Sequence, residues 1–271
     1  MKRANTSSVS DLYDLTNRVA LVTGATGQLG QTICEALAEQ GAHIVVNSRT
    51  ETDCVELADE ISSEYQKAIG IAGDVTEESD VQDVISSIDD EFGRLDVLVN
   101  NAYSGELAPF EEMSVDQFRT ALDGALVSTF LCTRESLPLL RKEKGSIINI
   151  ASIYGVVAPD HSIYGDSGLN NPANYGAAKA GVIQLTRWVA TRYGEDGIRA
   201  NTITPGGFYN AELKDRTDYT DEFVPNYEER TPLGRMGDPE DMKGPVTFLA
   251  SDASQWMTGQ NLIVDGGWTT W

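Results

Sequence analysis

Tyr175 and Lys179 are the residues of this chain whose types and spacing point most directly to chemistry. They lie four positions apart in Tyr-Gly-Ala-Ala-Lys, so on an α-helix both side chains lie on one face. A free phenol has a pKa near ~10, and a cation beside it stabilises the phenolate and lowers that pKa. The spacing therefore predicts a tyrosine that exchanges a proton with a carbonyl or alcohol oxygen. Surface helices also carry this spacing by chance, so the pair needs support from the rest of the chain.

Short apolar runs alternate with amphipathic stretches along the chain. We predict strands at 18–23, 43–47, 68–72, 95–99, 146–150, 198–203 and 261–264, and helices at 28–40, 51–65, 77–92, 114–137, 174–194 and 239–251. Apolar strands separated by helices indicate an α/β fold with a Rossmann-like, doubly wound parallel sheet of about seven strands, covered by helices on both faces. We expect a single domain over residues 11–271, after a flexible N-terminal leader over residues 1–10.

A glycine-rich turn follows the first predicted strand and opens the first predicted helix. It reads Thr-Gly-Ala-Thr-Gly-Gln-Leu-Gly over residues 23–30. Glycines at such a turn let the backbone approach a pyrophosphate, and the helix N-terminus stabilises its charge. By itself the turn could be only a tight β–α loop, but its place after the first strand of an alternating chain predicts a dinucleotide site. The predicted contacts are Gly24, Thr26, Gly27, Gln28, Leu29 and Gly30.

The end of the second predicted strand bears on the choice of dinucleotide. It reads Val-Asn-Ser-Arg over residues 46–49, without the carboxylate that would bind the ribose hydroxyls of NAD. Arg49 offers a planar fork of donors that suits a 2′-phosphate, although a solvated surface arginine is the alternative for this residue alone. Ser48 and Arg49 therefore predict NADP(H) in preference to NAD(H), which is not excluded.

Further motifs give the chain a resemblance to the short-chain dehydrogenase/reductase family over residues 12–271. They are Gly-Asp-Val at 73–75, Leu-Asp-Val-Leu-Val-Asn-Asn-Ala at 95–102, Ser152, the pair Tyr175 and Lys179, Pro-Gly-Gly at 205–207, and the segment 259–267. The resemblance implies a catalytic Ser152, Tyr175 and Lys179, in which Ser152 orients the reacting oxygen, Tyr175 transfers the proton and Lys179 also holds the nicotinamide ribose. It implies further cofactor contacts from Asp74, Val75, Asn101, Ala102, Pro205 and Gly206. It also implies a homotetramer, or a homodimer, built partly through the helix at 174–194 and the C-terminal segment.

Three departures from the family pattern leave alternatives open. The turn is spaced Thr-Gly-x-x-Gly-x-x-Gly, with Gln28 where a glycine is usual, as in the family's larger sugar-nucleotide branch; a nucleotide-sugar epimerase or dehydratase with bound cofactor is one alternative. Ala125 stands where the family usually has a catalytic Asn, which the resemblance implies helps to hold a water of the proton relay, partly through its backbone carbonyl; a catalytically weak NADP(H)-binding interaction protein is therefore another. Ser152 and Tyr175 are 23 positions apart, more than is usual in the family.

The additional residues fall in the segment 160–171. Asp160, His161, Tyr164, Asp166, Asn170 and Asn171 bring hydrogen-bonding groups that suit a polyhydroxylated substrate, although a solvated surface loop is the alternative. We predict a polar keto sugar or a sugar-derived acid, with this segment as a lid whose removal leaves thermal stability nearly unchanged. The predicted substrate contacts are Tyr103, His161, Tyr164, Gly207 and Phe208. The pattern at 152–159 and the C-terminal Trp-Thr-Thr-Trp are similar to reductases of bacterial surface-sugar and flagellin-glycosylation clusters.

Composition limits the remaining possibilities. A formal net charge of −22 with a pI near 4.3 argues against nucleic acid and anionic membrane surfaces as partners. The three cysteines and two histidines have no metal-ligand spacing, so we expect no metal. No apolar run approaches membrane-spanning length, and the N-terminus lacks a signal-peptide pattern. We therefore expect a cytoplasmic enzyme with a small-molecule substrate.

Overall fold

Seven parallel strands form one sheet at the centre of the protein. The computed structural model describes residues 7–106, 108–165, 170–210 and 213–271. The strands are β1 (Val19–Thr23), β2 (His43–Ser48), β3 (Ala68–Ala72), β4 (Val97–Asn100), β5 (Ser146–Ile150), β6 (Arg199–Pro205) and β7 (Asn261–Val264). Their order across the sheet is β3-β2-β1-β4-β5-β6-β7, which confirms the predicted doubly wound α/β fold.

Helices connect the strands and cover both faces of the sheet. They are α1 (Val9–Tyr13), α2 (Gln28–Glu39), α3 (Glu51–Glu64), α4 (Glu78–Phe92), α5 (Val115–Leu122), α6 (Ser128–Glu143), α7 (Ala173–Tyr193), α8 (Val224–Arg230) and α9 (Lys243–Ala250). No helix in these described ranges combines the length and the apolar character needed to cross a bilayer.

Alternate strand residues supply the two layers of the core. In β1, Val22 packs in the cluster that includes residues of α2, α3 and α9, whereas Leu21 packs in the cluster that includes residues of α4, α6 and α7. Successive side chains of a strand point to opposite faces, so a sheet buried on both faces needs apolar residues at nearly every position. All five residues of β1 are buried. This double burial explains why the strands could be predicted from continuous apolar runs.

The structure differs from the prediction in three helical regions. The predicted helix at 114–137 is interrupted by a π-helical segment, Asp123–Val127, and its last part extends to Glu143. A side chain at Gly124 would collide with Ser104, so the glycine lets the loop after β4 pack closely on the helix.

The second difference is helix α8, which was not predicted. It follows a second π-helical segment, Asp218–Phe223.

The third difference concerns the predicted leader. Residues 1–6 lie outside the described residues, whereas α1 begins at Val9, inside the range predicted to be flexible. Ser8 and Asp11 cap this short helix reciprocally, with the Asp11 amide donating to Ser8 Oγ at 3.1 Å and the Ser8 amide donating to Asp11 Oδ2 at 2.8 Å.

Candidate active site

A cleft opens at the carboxyl ends of the strands, where the strand order reverses between β1 and β4. Neighbouring loops separate at such a switch point, which is where ligands bind in open α/β sheets. A cavity of about 410 Å³ lies here. It brings together most of the predicted cofactor contacts, namely Gly24, Thr26, Gly27, Gln28, Leu29, Gly30, Ser48, Arg49, Asp74, Val75, Asn101 and Ala102.

The glycine turn between β1 and α2 has the geometry that a pyrophosphate site needs. Gly24 has φ of +61°, and a side chain there would come within 2.8 Å of the Ala102 Cα atom. Gly27 is the N-cap of α2, and no side chain in the described ranges caps this helix end. The first-turn N–H groups of a helix have no intrahelical partner, and here they border the cavity. The residues present therefore fit a dinucleotide.

Gln28 connects this turn to a residue far away in the sequence. Its Nε2 atom donates to the Tyr209 carbonyl oxygen at 2.8 Å, across 181 positions of sequence. The residue that departs from the family pattern thus joins the start of α2 to the loop after β6.

Two of the predicted cofactor residues also carry structural bonds. Asn101 Nδ2 donates to the carbonyl oxygens of Thr23 at 3.1 Å and Gly24 at 2.9 Å, so it ties the ends of β1 and β4 together. Asp74 Oδ1 accepts from the Thr76 amide at 2.9 Å and from its hydroxyl at 2.8 Å. Arg49, by contrast, is an exposed residue at the rim of the cavity.

Ser152, Tyr175 and Lys179 meet beside this cleft, as predicted. Ser152 lies two residues beyond β5, and α7 carries the other two side chains. The Tyr175 phenol is hydrogen-bonded to Ser152, and Lys179 Nζ donates to the Ile150 carbonyl oxygen at 2.8 Å. All three border a cavity of about 280 Å³ whose other walls include Pro205, Gly206 and Phe208. Phe208, a predicted substrate contact, therefore borders the same cavity as these three residues.

The protonation of the pair differs from the prediction. Burial raises the pKa of Tyr175, and its hydrogen bond to Ser152 offsets only part of that rise. Burial lowers the pKa of Lys179 to about 8, and this side chain is only 4% exposed. Burial is therefore the largest effect on the pKa of both groups. The prediction that Lys179 lowers the pKa of Tyr175 is wrong for the protein without a bound cofactor.

The Ala125 carbonyl is occupied by neighbouring hydroxyl groups. It accepts from Thr129 Oγ1 at 2.7 Å and from Ser128 Oγ at 3.2 Å, within and after the π-helical segment. The resemblance implied that this position contributes to a proton relay through its backbone carbonyl. In this chain the hydroxyl groups of Ser128 and Thr129 already donate hydrogen bonds to that oxygen, so they compete with a relay water for it.

Tyr103 lies between the cofactor cavity and the catalytic pair. Its ring meets the Tyr175 ring edge-on, with 5.0 Å between centroids and 86° between planes. Lys179 Nζ lies 5.5 Å from the centre of the Tyr103 ring. Burial raises the pKa of Tyr103 to about 12, so its hydroxyl stays protonated at neutral pH. This predicted substrate contact borders both cavities and packs directly on the Tyr175 ring.

A further cavity, of about 290 Å³, opens from the other side of Ser152 and Tyr175, and we call it the substrate cavity. Aromatic and amide side chains dominate its walls. They belong to Tyr154, Tyr164, Asn170, Asn171, Tyr219, Phe223 and Tyr227, with Ile153, Leu213, Gly206 and Gly207 completing the lining. Two predicted contacts, Tyr164 and Gly207, are among them.

Part of the predicted lid packs against the body of the protein. Its residues 166–169, including Asp166, lie outside the described residues, but Ile163 and Tyr164 are 2% and 7% exposed. The Tyr164 ring stacks on Phe223 with 5.2 Å between centroids, and Asn226 Nδ2 donates to the Ile163 carbonyl oxygen at 3.1 Å. These buried side chains argue against the prediction that replacing residues 161–170 would leave thermal stability nearly unchanged.

His161 does not belong to the substrate cavity. It is exposed on the short helix His161–Tyr164 and is absent from the described walls of the cavity. Asp160 caps this helix and forms an ion pair with Arg230, which holds the segment against α8. The prediction of His161 as a substrate contact is not supported by this geometry.

The packing of this segment predicts a difference between two neighbouring substitutions. We expect Ile163→Ala to lower the free energy of unfolding by about 2–5 kcal/mol, because it removes a buried aliphatic side chain. His161→Ala is the matched control and should change it by less than about 0.5 kcal/mol, as is usual for exposed positions. Chemical denaturation of both variants measures the difference. Equal stability of the two would mean that the segment does not pack as described.

The residues that the sequence analysis missed come from the region 213–230. Tyr227 is buried, and its hydroxyl accepts from the Gly207 amide, so α8 fixes the loop after β6. Tyr219 accepts from the Asn210 amide at 2.7 Å, and its ring stacks on Phe223. Only the concentration of aromatic residues at 219–227 signalled this wall in the sequence, and nothing local related it to Ser152.

Comparisons with known proteins agree with this geometry. The family model described as "Enoyl-(Acyl carrier protein) reductase" matches residues 24–269. The chain is 35% identical over 263 residues to 2-dehydro-3-deoxy-D-gluconate 5-dehydrogenase of Formosa agariphila, which covers 95% of this chain and 94% of the relative.

Solved structures extend the likeness to three dimensions. A short-chain type dehydrogenase/reductase from Mycobacterium marinum is 32% identical with a TM-score of 0.85, covering 97% of this chain and 99% of the other. A gluconate 5-dehydrogenase from Burkholderia cenocepacia, in complex with NADP and tartrate, is 32% identical with a TM-score of 0.86, covering 97% and 100%. With its fold and clustered Ser152, Tyr175 and Lys179, the chain belongs to the single-domain short-chain dehydrogenase/reductase family and is an NAD(P)-dependent oxidoreductase acting on CH–OH groups.

Proposed function

We propose that this protein is an NADP(H)-dependent oxidoreductase that interconverts a carbonyl and a secondary alcohol on a polar, sugar-like substrate. The observation that carries the proposal is the substrate cavity beside Ser152 and Tyr175, with its phenol and amide lining. Phenols and amides offer both donors and acceptors, which suits a substrate with several hydroxyl groups.

The side chains have distinct roles in the proposed reaction. The nicotinamide, when bound, supplies or accepts the hydride. In the reduction direction Tyr175 donates its phenolic proton to the carbonyl oxygen, and Ser152 orients that oxygen by hydrogen bonding. Lys179 holds the cofactor ribose and offsets the negative charge that develops on Tyr175 when the proton leaves. Pro205 and Gly206 border the cavity of about 280 Å³ that Ser152, Tyr175 and Lys179 share, and they would lie beside the nicotinamide when it is bound.

The size of the substrate cavity favours a small polar substrate over an acyl chain on a carrier. At about 290 Å³ it lies at the lower end of the roughly 300–1,000 Å³ typical of small-molecule sites. The relative from Formosa agariphila is named for a sugar acid, and the Burkholderia cenocepacia structure is of an enzyme named for gluconate. Both names support a polyhydroxylated substrate here.

A panel of carbonyl compounds with NADPH tests the proposal. Keto sugars, keto sugar acids and long apolar ketones are each incubated with the purified protein, and oxidation of NADPH is followed by its absorbance. We expect turnover with polyhydroxylated compounds. A preference for long apolar ketones would refute the substrate class. A nucleotide-sugar epimerase or dehydratase would instead convert its substrate without net consumption of NADPH, and an interaction protein would bind NADPH without turnover.

Arg49 provides the test of cofactor preference. It lies at the rim of the cavity where β2 ends, and it can offer a charge-assisted hydrogen bond to a 2′-phosphate. We expect Arg49→Ala to weaken NADPH binding roughly 10- to 100-fold and NADH binding less than about twofold. Arg119→Ala, which removes an exposed arginine absent from the described lining of that cavity, is the matched control. Fluorescence titration of both cofactors measures the effect, and equal losses for the two cofactors would contradict the preference.

We also propose that the protein assembles as a homotetramer or a homodimer. Exposed apolar side chains on α6 and α7, Phe130 at 44% and Trp188 at 56%, support an interface through these helices. Cytoplasmic location and the finer resemblance to surface-sugar and flagellin-glycosylation reductases stay predictions, and none of the relatives described above supports that finer resemblance.

A further inference from the structure

The walls of the substrate cavity carry no lysine or arginine within the described ranges. The sequence adds none nearby in the segment that precedes α7, because no lysine or arginine occurs from Gly155 to Ala178. Lys179 borders the adjoining cavity of about 280 Å³ but not the described walls of the substrate cavity, and its Nζ donates to the Ile150 carbonyl oxygen. A substrate carboxylate in this cavity would therefore meet no cationic partner from its walls.

The cationic residues of the surrounding segments have other environments. Arg230 forms an ion pair with Asp160, and Arg235 forms one with Asp241. Lys214 and Arg216 are exposed and do not line the described part of the cavity. The chain also carries a formal net charge of −22, which disfavours an anionic ligand.

Two backbone amides of the cavity wall are already used in hydrogen bonds within the protein. The Gly206 amide donates to the Val264 carbonyl oxygen at 2.9 Å, and the Gly207 amide donates to the Tyr227 hydroxyl. Aromatic ring faces carry negative potential, so the faces of the surrounding rings attract C–H groups rather than anions. Burying an ionised carboxylate without a charged partner is costly, whereas hydroxyl groups need only neutral donors and acceptors.

Asn171 offers one such acceptor in the cavity that Ser152 and Tyr175 share. Its Oδ1 atom is buried and has no hydrogen-bond partner in the described part of the protein, and its side chain lines the substrate cavity. Buried polar atoms of folded proteins are nearly always hydrogen-bonded, so an unpaired acceptor at a binding cavity indicates a donor on the ligand. A hydroxyl near the reacting carbon can supply that donor.

We infer that the substrate is an uncharged polyol or keto sugar rather than a sugar acid, and that one of its hydroxyls donates to Asn171 Oδ1. This inference rests on the proposed function and narrows it. A neutral sugar and a sugar acid would undergo the same proton transfer at Tyr175. They differ in whether the substrate carries a neutral CH₂OH group or a charged carboxylate.

Matched pairs that differ only in a CH₂OH or a COO⁻ group test the charge. The protein with NADP⁺ is assayed on D-glucitol against D-gluconate, on galactitol against galactonate, and on methyl glucoside against methyl glucuronide. In each pair, kcat/KM is measured from the nicotinamide absorbance, and binding is measured by saturation-transfer NMR. In any pair that reacts or binds, we expect kcat/KM or the binding affinity of the neutral member to be at least about tenfold higher than that of the acid.

The outcomes separate this inference from the proposed function. Equal or better turnover of the acids would overturn the inference and leave the sugar oxidoreductase intact. Turnover of long apolar ketones, with no binding of any panel member, would overturn both.

Two substitutions test the role of Asn171. Asn171→Ala should raise KM for the neutral substrate about tenfold with NADPH affinity unchanged, because the acceptor is lost. Asn171→Asp keeps an acceptor oxygen, so it should hold KM for the neutral substrate within about threefold of the unmodified protein and further weaken any binding of the acid. A deoxy analogue lacking the contacting hydroxyl should lose its sensitivity to Asn171→Ala. A KM that is unchanged in Asn171→Ala, or that rises equally in both variants, would show that Asn171 does not accept a hydrogen bond from the substrate.

Discussion

Replacing Tyr175 with phenylalanine is expected to lower turnover by about 10²- to 10⁴-fold, the usual contribution of a positioned proton donor. The ring would remain, together with its edge-on contact with Tyr103 at 5.0 Å between centroids. NADPH affinity should therefore change little, because only the phenolic hydroxyl and its hydrogen bond to Ser152 are removed. Single-turnover kinetics and cofactor titration on the same preparation measure the two quantities separately.

Tyr193→Phe is the matched control, because this tyrosine lies at the C-terminal end of the same helix, far along α7 from Tyr175. It should keep turnover within about twofold of the unmodified protein. Near-normal activity in Tyr175→Phe would assign the proton transfer to another group. Equal loss in both variants would indicate damage to α7 rather than loss of a donor.

Replacing Lys179 with methionine is expected to damage both turnover and cofactor binding. Ser152, Tyr175 and Lys179 border a common cavity of about 280 Å³. Among the described residues of its lining, Lys179 is the only one with a charged side chain. We expect kcat to fall by at least about 10²-fold, because the charge that stabilises the developing phenolate is lost. NADPH affinity should fall as well, in contrast to Tyr175→Phe. A variant that lost turnover with unchanged NADPH affinity would show that Lys179 does not hold the cofactor.

The same substitution should change how stability depends on pH. Burial lowers the pKa of Lys179 from 10.5 to about 8, so the unfolded chain binds more protons at this residue between these values and stability rises with pH across that window. The pKa of Tyr175 is raised above its ordinary value of 10, so this residue does not alter the pH dependence of stability below about pH 10. Above that pH it makes stability fall as pH rises. From pH 8 to 10 we expect the unmodified protein to gain on the order of 2 kcal/mol relative to Lys179→Met, measured by denaturant titration. No difference in slope would mean that Lys179 is not buried as a titrating group.

The framework of the fold and most of the candidate site residues could be predicted from the sequence. Continuous apolar strands, such as β1, can be recognised because both faces of the sheet are covered, and amphipathic helices fill the intervals. The glycine turn could be found from its place after the first strand, and the pair Tyr175 and Lys179 from their local spacing, whereas Ser152 was identified through the family resemblance. Their convergence follows from the rule that carboxyl ends of parallel strands share one edge.

The environment of these groups depends on contacts between distant segments of the chain and could not be predicted from the sequence. The Tyr175 pKa depends on burial by side chains distant in sequence, so a local pair of residues could not give even the direction of its shift. Segment 160–165 is polar in sequence, yet Ile163 and Tyr164 are buried because Phe223 and Asn226 pack against them. The wall formed by Tyr219, Phe223 and Tyr227, and the absence of a cation from the described lining of the substrate cavity, arise from contacts between segments separated by many residues, which no local pattern encodes.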